Sequence, residues 1–309
     1  LVIFILMTLT IGMVSGFLVA DGSMIQAYEE SFEKYSIENG HFRTEKKMNN
    51  AQIQDIEDLG IKLYENYYVE EALTNGSTMR IFKNRDEVNK VCLMKGKMPE
   101  KPGEIGIDRM YADNNDLSVG DEIESGGHTW KITGLVALSD YSALFSNNND
   151  SMFDSVKFGV SVVCPEEFDS YKADQLNYSY AWKYNTEPKN EKAEKDISED
   201  LMEDVAKEVT LEEFVPRYTN QAIIFTGDDM GGDRSMMIVL LYIIIVIMAF
   251  VFAITTNNTI RKEANVIGTL RASGYTRGEL IRHYMAAPVF VTFIGAIIGN
   301  IIGYTVGKD

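Results

Sequence analysis

The stretch MIVLLYIIIVIMAFVFAI, from Met237 to Ile254, has almost no polar side chain on any face of a helix. A soluble helix would present a polar stripe to water. At a rise of about 1.5 Å per residue, roughly 20 residues match a hydrocarbon core of about 30 Å. The uncharged stretch, with limits at Met236 and Thr256, is therefore predicted to cross a membrane.

Two further uncharged stretches of similar length run from Leu1 to Ala20 and from Met285 to Val306. Three membrane crossings explain all three stretches. Two alternatives stay open, a buried core helix for the third and a cleavable signal peptide for the first, although the first has no basic segment before it. Because Leu1 is not a methionine and the chain stops directly after the third stretch, we expect a fragment of a longer protein.

Charge is distributed unevenly along the chain. Of its 29 basic and 46 acidic residues, 22 and 43 lie between Asp21 and Asp233, and this acidic excess argues against nucleic acid as a partner. The short segment from Asn257 to Tyr284 instead carries five Lys or Arg residues. Short basic loops stay in the cytoplasm. The predicted topology therefore places this loop inside the cell and the acidic region outside.

The predicted organisation has five parts along the chain. They are a transmembrane helix at 1–22, an acidic extracytoplasmic α+β domain at 23–233, a second transmembrane helix at 234–256, a cytoplasmic loop at 257–284 and a third transmembrane helix at 285–306. The α+β domain is predicted to contain two consecutive subdomains, at about 45–155 and 156–225. Cys92 and Cys164 both fall in it, where a disulfide is permitted but not established by two distant cysteines.

Local patterns predict elements within the domain. Apolar residues alternate on both sides of Gly126-Gly127, which predicts a β-hairpin. A Gly- and Asp-rich stretch, from Thr226 to Arg234, is predicted to be a flexible joint before the second crossing. Periodicity predicts further elements: a helical stalk at Met24–Tyr35, strands at Lys62–Val69, Lys157–Val163 and Asn177–Tyr184, and a charged helix at Glu191–Val209.

The predicted cytoplasmic segment TIRKEANVIGTLRASGYTRGELIRHYM runs from Thr259 to Met285. Gly274 suits the position just after a helix, and Thr276 followed by Glu279 is a capping-box pattern that starts a new one. The segment is thus predicted to be a short amphipathic helix, a sharp turn and a second helix. Such a helix either rests in the lipid headgroups or fits a protein socket. The residues predicted to share its apolar face are Ile260, Ala264, Ile267 and Leu270.

Glycines recur at four-residue spacing in two of the predicted membrane helices. Such small faces let helices approach closely in lipid, although glycine is also generally common in membrane helices. Pro288 lies early in the third helix and is predicted to kink it. The predicted helix-packing positions are Gly12 and Gly16 in the first helix and Gly295, Gly299 and Gly303 in the third.

The segment IRKEANVIGTLRASGYTRGELI is similar to the coupling segment of FtsX-like (MacB/LolC-type) ABC permeases. Val266 stands where the family usually has Glu. The resemblance implies contact with an ATPase for Arg261, Lys262, Glu263, Ile267, Gly268, Leu270, Arg271 and Gly274. The motifs KGKMPEKPGEIGID, LSVGDEI and WKITGLV resemble the extracytoplasmic domain of the same family, of the MacB-like periplasmic core type, at Gly96, Pro99, Gly103, Glu104, Ile105, Gly120, Asp121 and Gly134.

The resemblance implies an integral membrane α-helical protein with an inserted α+β extracytoplasmic domain, in the plasma or inner membrane. It further implies a separate cytoplasmic ABC ATPase that binds ATP and Mg²⁺, a surrounding lipid membrane, and a dimeric permease or a pseudo-dimer within a longer chain. The chain itself has no Gly-x-x-x-x-Gly-Lys-Ser/Thr loop. We therefore expect a transport subunit with no ATPase activity, catalytic residue, directly bound cofactor or metal site of its own.

The sequence is compatible with three functions. The first is export or extraction of an amphiphile, a peptide or a lipoprotein. The second is a signalling scaffold that activates an extracellular partner such as a cell-wall hydrolase. The third is a membrane-anchored receptor without an ATPase, in which reversing the charges of Glu263 and Arg271 would leave function intact.

Overall fold

The structure is a computed structural model that describes residues 2–308. Its helices are α1 (Val2–Lys34), α2 (Asn50–Glu57), α3 (Arg109–Asn114), α4 (Pro165–Phe168), α5 (Glu191–Glu208), α6 (Gln221–Lys262), α7 (Ala264–Ala272) and α8 (Arg277–Lys308). Its strands are β1 (Gly40–Thr44), β2 (Ile61–Glu65), β3 (Tyr68–Ala72), β4 (Thr78–Lys83), β5 (Val91–Gly96), β6 (Glu104–Asp108), β7 (Glu122–Ser125), β8 (His128–Leu138), β9 (Phe158–Val163), β10 (Tyr178–Tyr184) and β11 (Leu211–Pro216).

The chain divides into two compact units. A membrane unit combines the chain up to Tyr28 with the chain from Gly227 onwards, and the residues Glu29–Thr226 form an α+β domain inserted between them. Three helices, α1, α6 and α8, are long and apolar enough to cross a membrane. The predicted fold class, a helical membrane protein with an inserted α+β domain, is confirmed.

Within the membrane unit, α1 and α8 run parallel. Gly12 contacts Gly299, and four residues further along both helices Gly16 contacts Gly303. Gly227, near the start of α6, faces the ring of Tyr28. The C-terminal part of α1 and the N-terminal part of α6 connect to the inserted domain. They therefore lie at one end of the membrane unit, and the α6–α7–α8 turn lies at the other.

The inserted domain contains two sheets. The first is antiparallel with the order β11-β1-β10-β2, and the second has the order β3-β4-β9-β6-β8-β5 with β7 paired to β8. The predicted strand at Lys62–Val69 is wrong, because the chain leaves the first sheet at Glu65 and enters the second at Tyr68. Asn66 fixes this crossing: its amide donates to the carbonyl of Ser179, and its side chain accepts from Arg85 at 2.7 Å.

The predicted boundary between consecutive subdomains near residue 155 is also wrong. Strand β9 follows that boundary, yet it lies inside the second sheet, parallel to β4 and antiparallel to β6, with all six residues buried. The first sheet combines β1 and β2 from the start of the domain with β10 and β11 from its end. Each sheet is therefore built from segments that are distant in sequence.

Several local predictions are confirmed. The hairpin β7–β8 turns at Gly126 and Gly127, whose φ angles of 56° and 84° suit a two-residue turn between twisted strands. Strands β9 and β10, helix α5 and the stalk at the end of α1 occur where the patterns predict them. Cys92 and Cys164 are free thiols, the first half-buried and the second buried.

A buried polar network lies beside the crossing from β2 to β3. The guanidinium of Arg85 donates two hydrogen bonds to Asp140, at 2.7 and 2.8 Å. Nearby, Glu38 accepts from Asn89 and lies 2.6 Å from the imidazole of His41. Burial alone would raise the pKa of Glu38, but His41 and Asn89 hold it below its ordinary value. Burial opposes protonation of His41, yet the Glu38 carboxylate raises its pKa.

The predicted flexible joint at Thr226–Arg234 is wrong, because these residues are part of α6. Gly231 and Gly232 have helical backbone, and a Cβ atom at either would meet no neighbouring atom within 4 Å. Each glycine lowers helix stability by only about 1 kcal/mol relative to alanine. The long apolar stretch that follows and the fixed first turn described below outweigh that preference.

Replacing both glycines, Gly231→Ala and Gly232→Ala, should stabilise the protein by about 0.5–1 kcal/mol per site. Thermal unfolding of the full chain in detergent, followed by intrinsic fluorescence, measures the change. Gly60→Ala is the matched control, since Gly60 also has open space around it but has a φ of +96°, and there alanine should destabilise. A lower unfolding temperature for the double variant would contradict a continuous helix.

Candidate functional site

The most sharply defined turn of the membrane unit is residues 263–276, here called the foot. Helix α6 ends at Lys262, and Glu263 has φ −98° and ψ 13°, which turns the chain before α7 begins. The carboxylate of Glu263 accepts a hydrogen bond from the hydroxyl of Tyr284 at 2.6 Å. Because Tyr284 belongs to α8, this bond fastens the start of α7 to the returning helix.

The other end of α7 closes with a Schellman motif. Gly274 has a φ of +99°, which a residue without a side chain adopts without strain. The amide of Tyr275 donates to the carbonyl of Leu270 at 3.1 Å, and the amide of Gly274 donates to Arg271 at 3.2 Å. Both bonds satisfy carbonyls that a helix end leaves free, so α7 stops at a defined residue.

A capping box then starts α8. The amide of Glu279 donates to the hydroxyl of Thr276 at 3.3 Å, and the amide of Thr276 donates to the carboxylate of Glu279 at 2.9 Å. The Thr276 hydroxyl also donates to that carboxylate, at 2.8 Å. The Glu263 side chain makes no capping hydrogen bond at the start of α7. The foot is instead held there by the Tyr284 bond, and the Schellman motif and the capping box close its other end.

The foot and the last turn of α6 together expose most of the residues that the resemblance implicates. Arg261, Lys262, Glu263, Gly268, Arg271 and Gly274 are exposed, while Ile267 and Leu270 are half-buried. Val266 and Tyr275 add apolar surface, each with just over half of its area exposed. Among the described residues, the basic side chains of Arg261, Lys262 and Arg271 form no ion pair. This combination of positive charge and exposed apolar surface is available either to a protein partner or to lipid headgroups.

The predicted helix-packing glycines do meet. A Cβ atom at Gly303 would lie 2.5 Å from the carbonyl oxygen of Gly12 and 2.7 Å from the amide nitrogen of Gly16. Gly299 faces Ile11 and the Thr8 carbonyl, and Gly295 faces Thr8 and Met7. Gly307 extends the stripe by one more turn onto Gly16. The sequence analysis missed Gly307, although it continues the same four-residue spacing.

A second contact that sequence reasoning missed lies at the start of α6, inside the inserted domain. The hydroxyl of Ser142 donates to the carbonyls of Ala222 and Ile223, each at 2.9 Å. Gln221 donates from its backbone and its side chain to Asn148, at 2.9 and 2.6 Å. The loop between β8 and β9 thus holds the first turn of α6. No periodic pattern marks this loop, so the sequence carried no signal for it.

Aromatic packing reinforces the same anchor. The ring of Phe225 lies 5.5 Å from that of Phe145 and 5.3 Å from that of Phe153, each in an edge-to-face arrangement. Such pairs contribute about 0.5–1.5 kcal/mol beyond their buried area. The first turn of α6 is therefore fixed by both polar and apolar contacts.

The histidines lie at separate places. His41 pairs with Glu38, His128 packs on Trp130, and His283 packs on Tyr284. Within the described part of the chain, no group of three or more His, Cys, Asp or Glu residues could hold a metal ion.

Comparison with known proteins supports this description of the membrane unit. Residues 238–309 match the model of the FtsX-like permease C-terminal domain. This part of the chain is therefore similar to the C-terminal domain of FtsX-like permeases, and the predicted resemblance is confirmed for it.

Two solved structures are similar to the chain. One is the periplasmic region of MacB from Actinobacillus actinomycetemcomitans, with 11% identity and a TM-score of 0.31, covering 55% of this chain and 85% of that one. The other is the extracellular domain of the noncanonic ABC-type transporter YknZ from Gram-positive bacteria, with 10% identity and a TM-score of 0.30, covering 54% and 92%. A comparison with curated proteins gave no match.

Adding one methyl group at a close glycine contact, Gly303→Ala, should destabilise the membrane unit by about 1–3 kcal/mol, because backbone atoms block the new Cβ. Thermal unfolding in detergent measures the loss. Gly278→Ala in the first turn of α8 is the control, since its Cβ would meet no atom within 4 Å. Equal unfolding temperatures for the two variants would contradict the glycine contact.

Removing the cap by Thr276→Ala should weaken the first turn of α8 by about 1 kcal/mol. The amides of the first turn of α8 should then exchange with solvent about fivefold faster, as mass spectrometry of the full chain can measure. Thr269→Ala is the matched control, since its hydroxyl bonds only to a carbonyl within its own helix. The capping box would have no energetic role if both variants exchanged alike.

Proposed function

We propose that this chain is the permease part of an ATP-driven system, in which the foot is the contact for the ATPase. The observation that supports this most is a foot tied to α8 by Tyr284 at its start and capped at its end, in a region similar to the FtsX-like permease C-terminal domain. A partner can move such a turn as one body, whereas a flexible loop would absorb the displacement. Exposed Arg261, Lys262 and Arg271 supply charge for the contact.

The proposed topology places the foot in the cytoplasm and the inserted domain outside, in a chain that crosses the plasma or inner membrane several times. Five basic residues in the short loop support this orientation. The parallel course of α1 and α8 is consistent with this orientation. In the membrane unit, the parts of α1 and α6 that connect to the inserted domain lie at the end opposite the foot.

In the proposed mechanism, the partner binds ATP with Mg²⁺ and moves the foot, and α6 transmits the movement. A helix of 42 residues is about 63 Å long at 1.5 Å per residue. Its first turn is held by hydrogen bonds to Ser142 and Asn148 and by ring contacts of Phe225 with Phe145 and Phe153. A displacement of α6 would therefore reach the loop between β8 and β9. The movement would serve export or extraction of an amphiphile, a peptide or a lipoprotein, in a dimeric or pseudo-dimeric permease.

Charge reversal in the foot tests the ATPase contact. With the chain and a candidate ABC ATPase partner reconstituted together in nanodiscs, Arg271→Glu should reduce permease-stimulated ATP turnover at least about tenfold, equivalent to about 1.4 kcal/mol of lost contact energy. Lys62→Glu, an exposed lysine in the inserted domain, is the control and should have no effect. Stimulated turnover that Arg271→Glu leaves unchanged would contradict the foot as the ATPase contact. The absence of any stimulation by the unsubstituted chain would favour a receptor that works without an ATPase.

The same assay separates transport from signalling. Stimulation of ATP turnover by an added amphiphile, cationic peptide or lipoprotein supports transport. Stimulation by a protein that binds the outer face, with none by these cargo molecules, would favour the signalling scaffold.

A further inference from the structure

Strand β5 forms one outer edge of the second sheet. It pairs only with β8 among the described strands, in antiparallel register from Val91 opposite Leu138 to Gly96 opposite Gly134. The part from 93 to 97 is here called the β5 edge. An edge strand leaves alternate backbone N–H and C=O groups without a strand partner, which makes it a template for a further strand.

The β5 edge also exposes apolar side chains. Leu93 is 42% exposed and Met94 is 50% exposed. A bulge between Leu93 and Lys95 places the two apolar side chains in a local irregularity of the ladder. Because apolar surface in water is unfavourable, exposed apolar residues on an open strand indicate a contact surface.

The other sheet edges differ from β5. Tyr68 and Leu73 around β3 form bridges to Asn177 and Ser125. In β2, the amide of Leu63 donates to the side chain of Glu57. The apolar residues of β11, Leu211 and Phe214, are half-buried. Among the described edges, β5 combines an open ladder with exposed apolar side chains.

Charge identifies the kind of partner. The stretch 90–104 carries four lysines, Lys90, Lys95, Lys97 and Lys101, against the two glutamates Glu100 and Glu104, in a domain that is otherwise acidic. Lys97 lies 3.5 Å from Glu104, whereas Lys95 and Lys101 form no ion pair among the described residues. At 0.1 M salt, charges separated by more than about 10 Å are largely screened. The local lysines therefore outweigh the distant acidic surface for a bound segment.

We propose that the β5 edge binds an acidic, extended segment of a partner protein, which adds to the second sheet as a further strand. Backbone hydrogen bonds would hold the segment, its apolar side chains would cover Leu93 and Met94, and its carboxylates would face the lysines. The same lysines disfavour a second copy of β5, because self-pairing would bring like charges together across the strands. This inference does not depend on the proposed function of the foot.

The test uses the full chain in detergent and a fluorescent, end-blocked peptide of about eight residues that alternates glutamate and valine, a length typical of a strand. We expect saturable binding that weakens with salt, and slower hydrogen exchange of amides in residues 93–97 when the peptide is bound. A peptide of alternating lysine and valine should bind at least about tenfold more weakly.

Two variants locate the site. Leu93→Glu and Lys95→Glu should each weaken binding about tenfold or more. Their matched controls are Leu59→Glu, since Leu59 is also 42% exposed, and Lys62→Glu, an exposed lysine on β2. Both controls should bind the peptide as the unchanged protein does, and circular dichroism checks that all four variants are folded.

Several results would overturn the proposal. They are no saturable binding up to about 1 mM peptide, equal binding of the basic peptide, or equal loss in the control variants. Disulfide-linked pairs formed through Leu93→Cys in the absence of peptide would identify a second copy as the occupant instead. Loss of binding to anionic lipid vesicles in Lys95→Glu, with peptide binding unchanged, would identify a membrane surface.

Discussion

Helix α6 is hydrogen-bonded without a break from Gln221 to Lys262, and each of its two ends is fixed by contacts of its own. At its start, backbone carbonyls are held by Ser142 and side-chain packing is supplied by Phe145 and Phe153. At its end, Glu263 turns the chain into a foot, which the Tyr284 bond holds at its start and two capping motifs close at its end. A helix resists bending because each turn is bonded to the next, so continuity matters more here than any single side-chain contact.

The membrane helices differ in how firmly they are packed. Close backbone contacts at Gly299, Gly303 and Gly307 hold α8 against α1, and those contacts leave no space for a methyl group at Gly303. The apolar stretches of α6 and α8 are both mostly exposed within the membrane unit. Exposed apolar side chains face lipid at little energetic cost. The close glycine contacts thus join α8 to α1, whereas the apolar stretch of α6 from Met236 to Thr256 contains no glycine.

Much of this arrangement could be predicted from the sequence wherever a local rule governs the structure. The uncharged stretches, the Gly126-Gly127 hairpin and the pairing of Thr276 with Glu279 each depend on residues a few positions apart. Strand β9 lies inside a sheet beside β4, about 80 positions away in register, and no short pattern reveals such a partner. The same holds for the hydrogen bond between Tyr284 and Glu263, which are 21 positions apart.

The error at Thr226–Arg234 has a different physical origin. Glycine and aspartate disfavour a helix by at most about 1 kcal/mol each, and neighbouring structure commonly overrides such preferences. Here the fixed first turn at Gln221 and the apolar stretch from Met236 both favour helix, so the residues between them also adopt a helical backbone.

The first sheet joins the two ends of the inserted domain. Gly40 lies opposite Pro216 in the β1–β11 pair, and the amide of Arg217 donates to the carbonyl of Asn39 at 2.8 Å. A domain whose entry and exit are neighbours can be accommodated between two helices without forcing them apart. Because its entry and exit are paired in one sheet, the inserted domain is a self-contained unit. Another domain with neighbouring ends could replace it without a change in the spacing of the flanking helices.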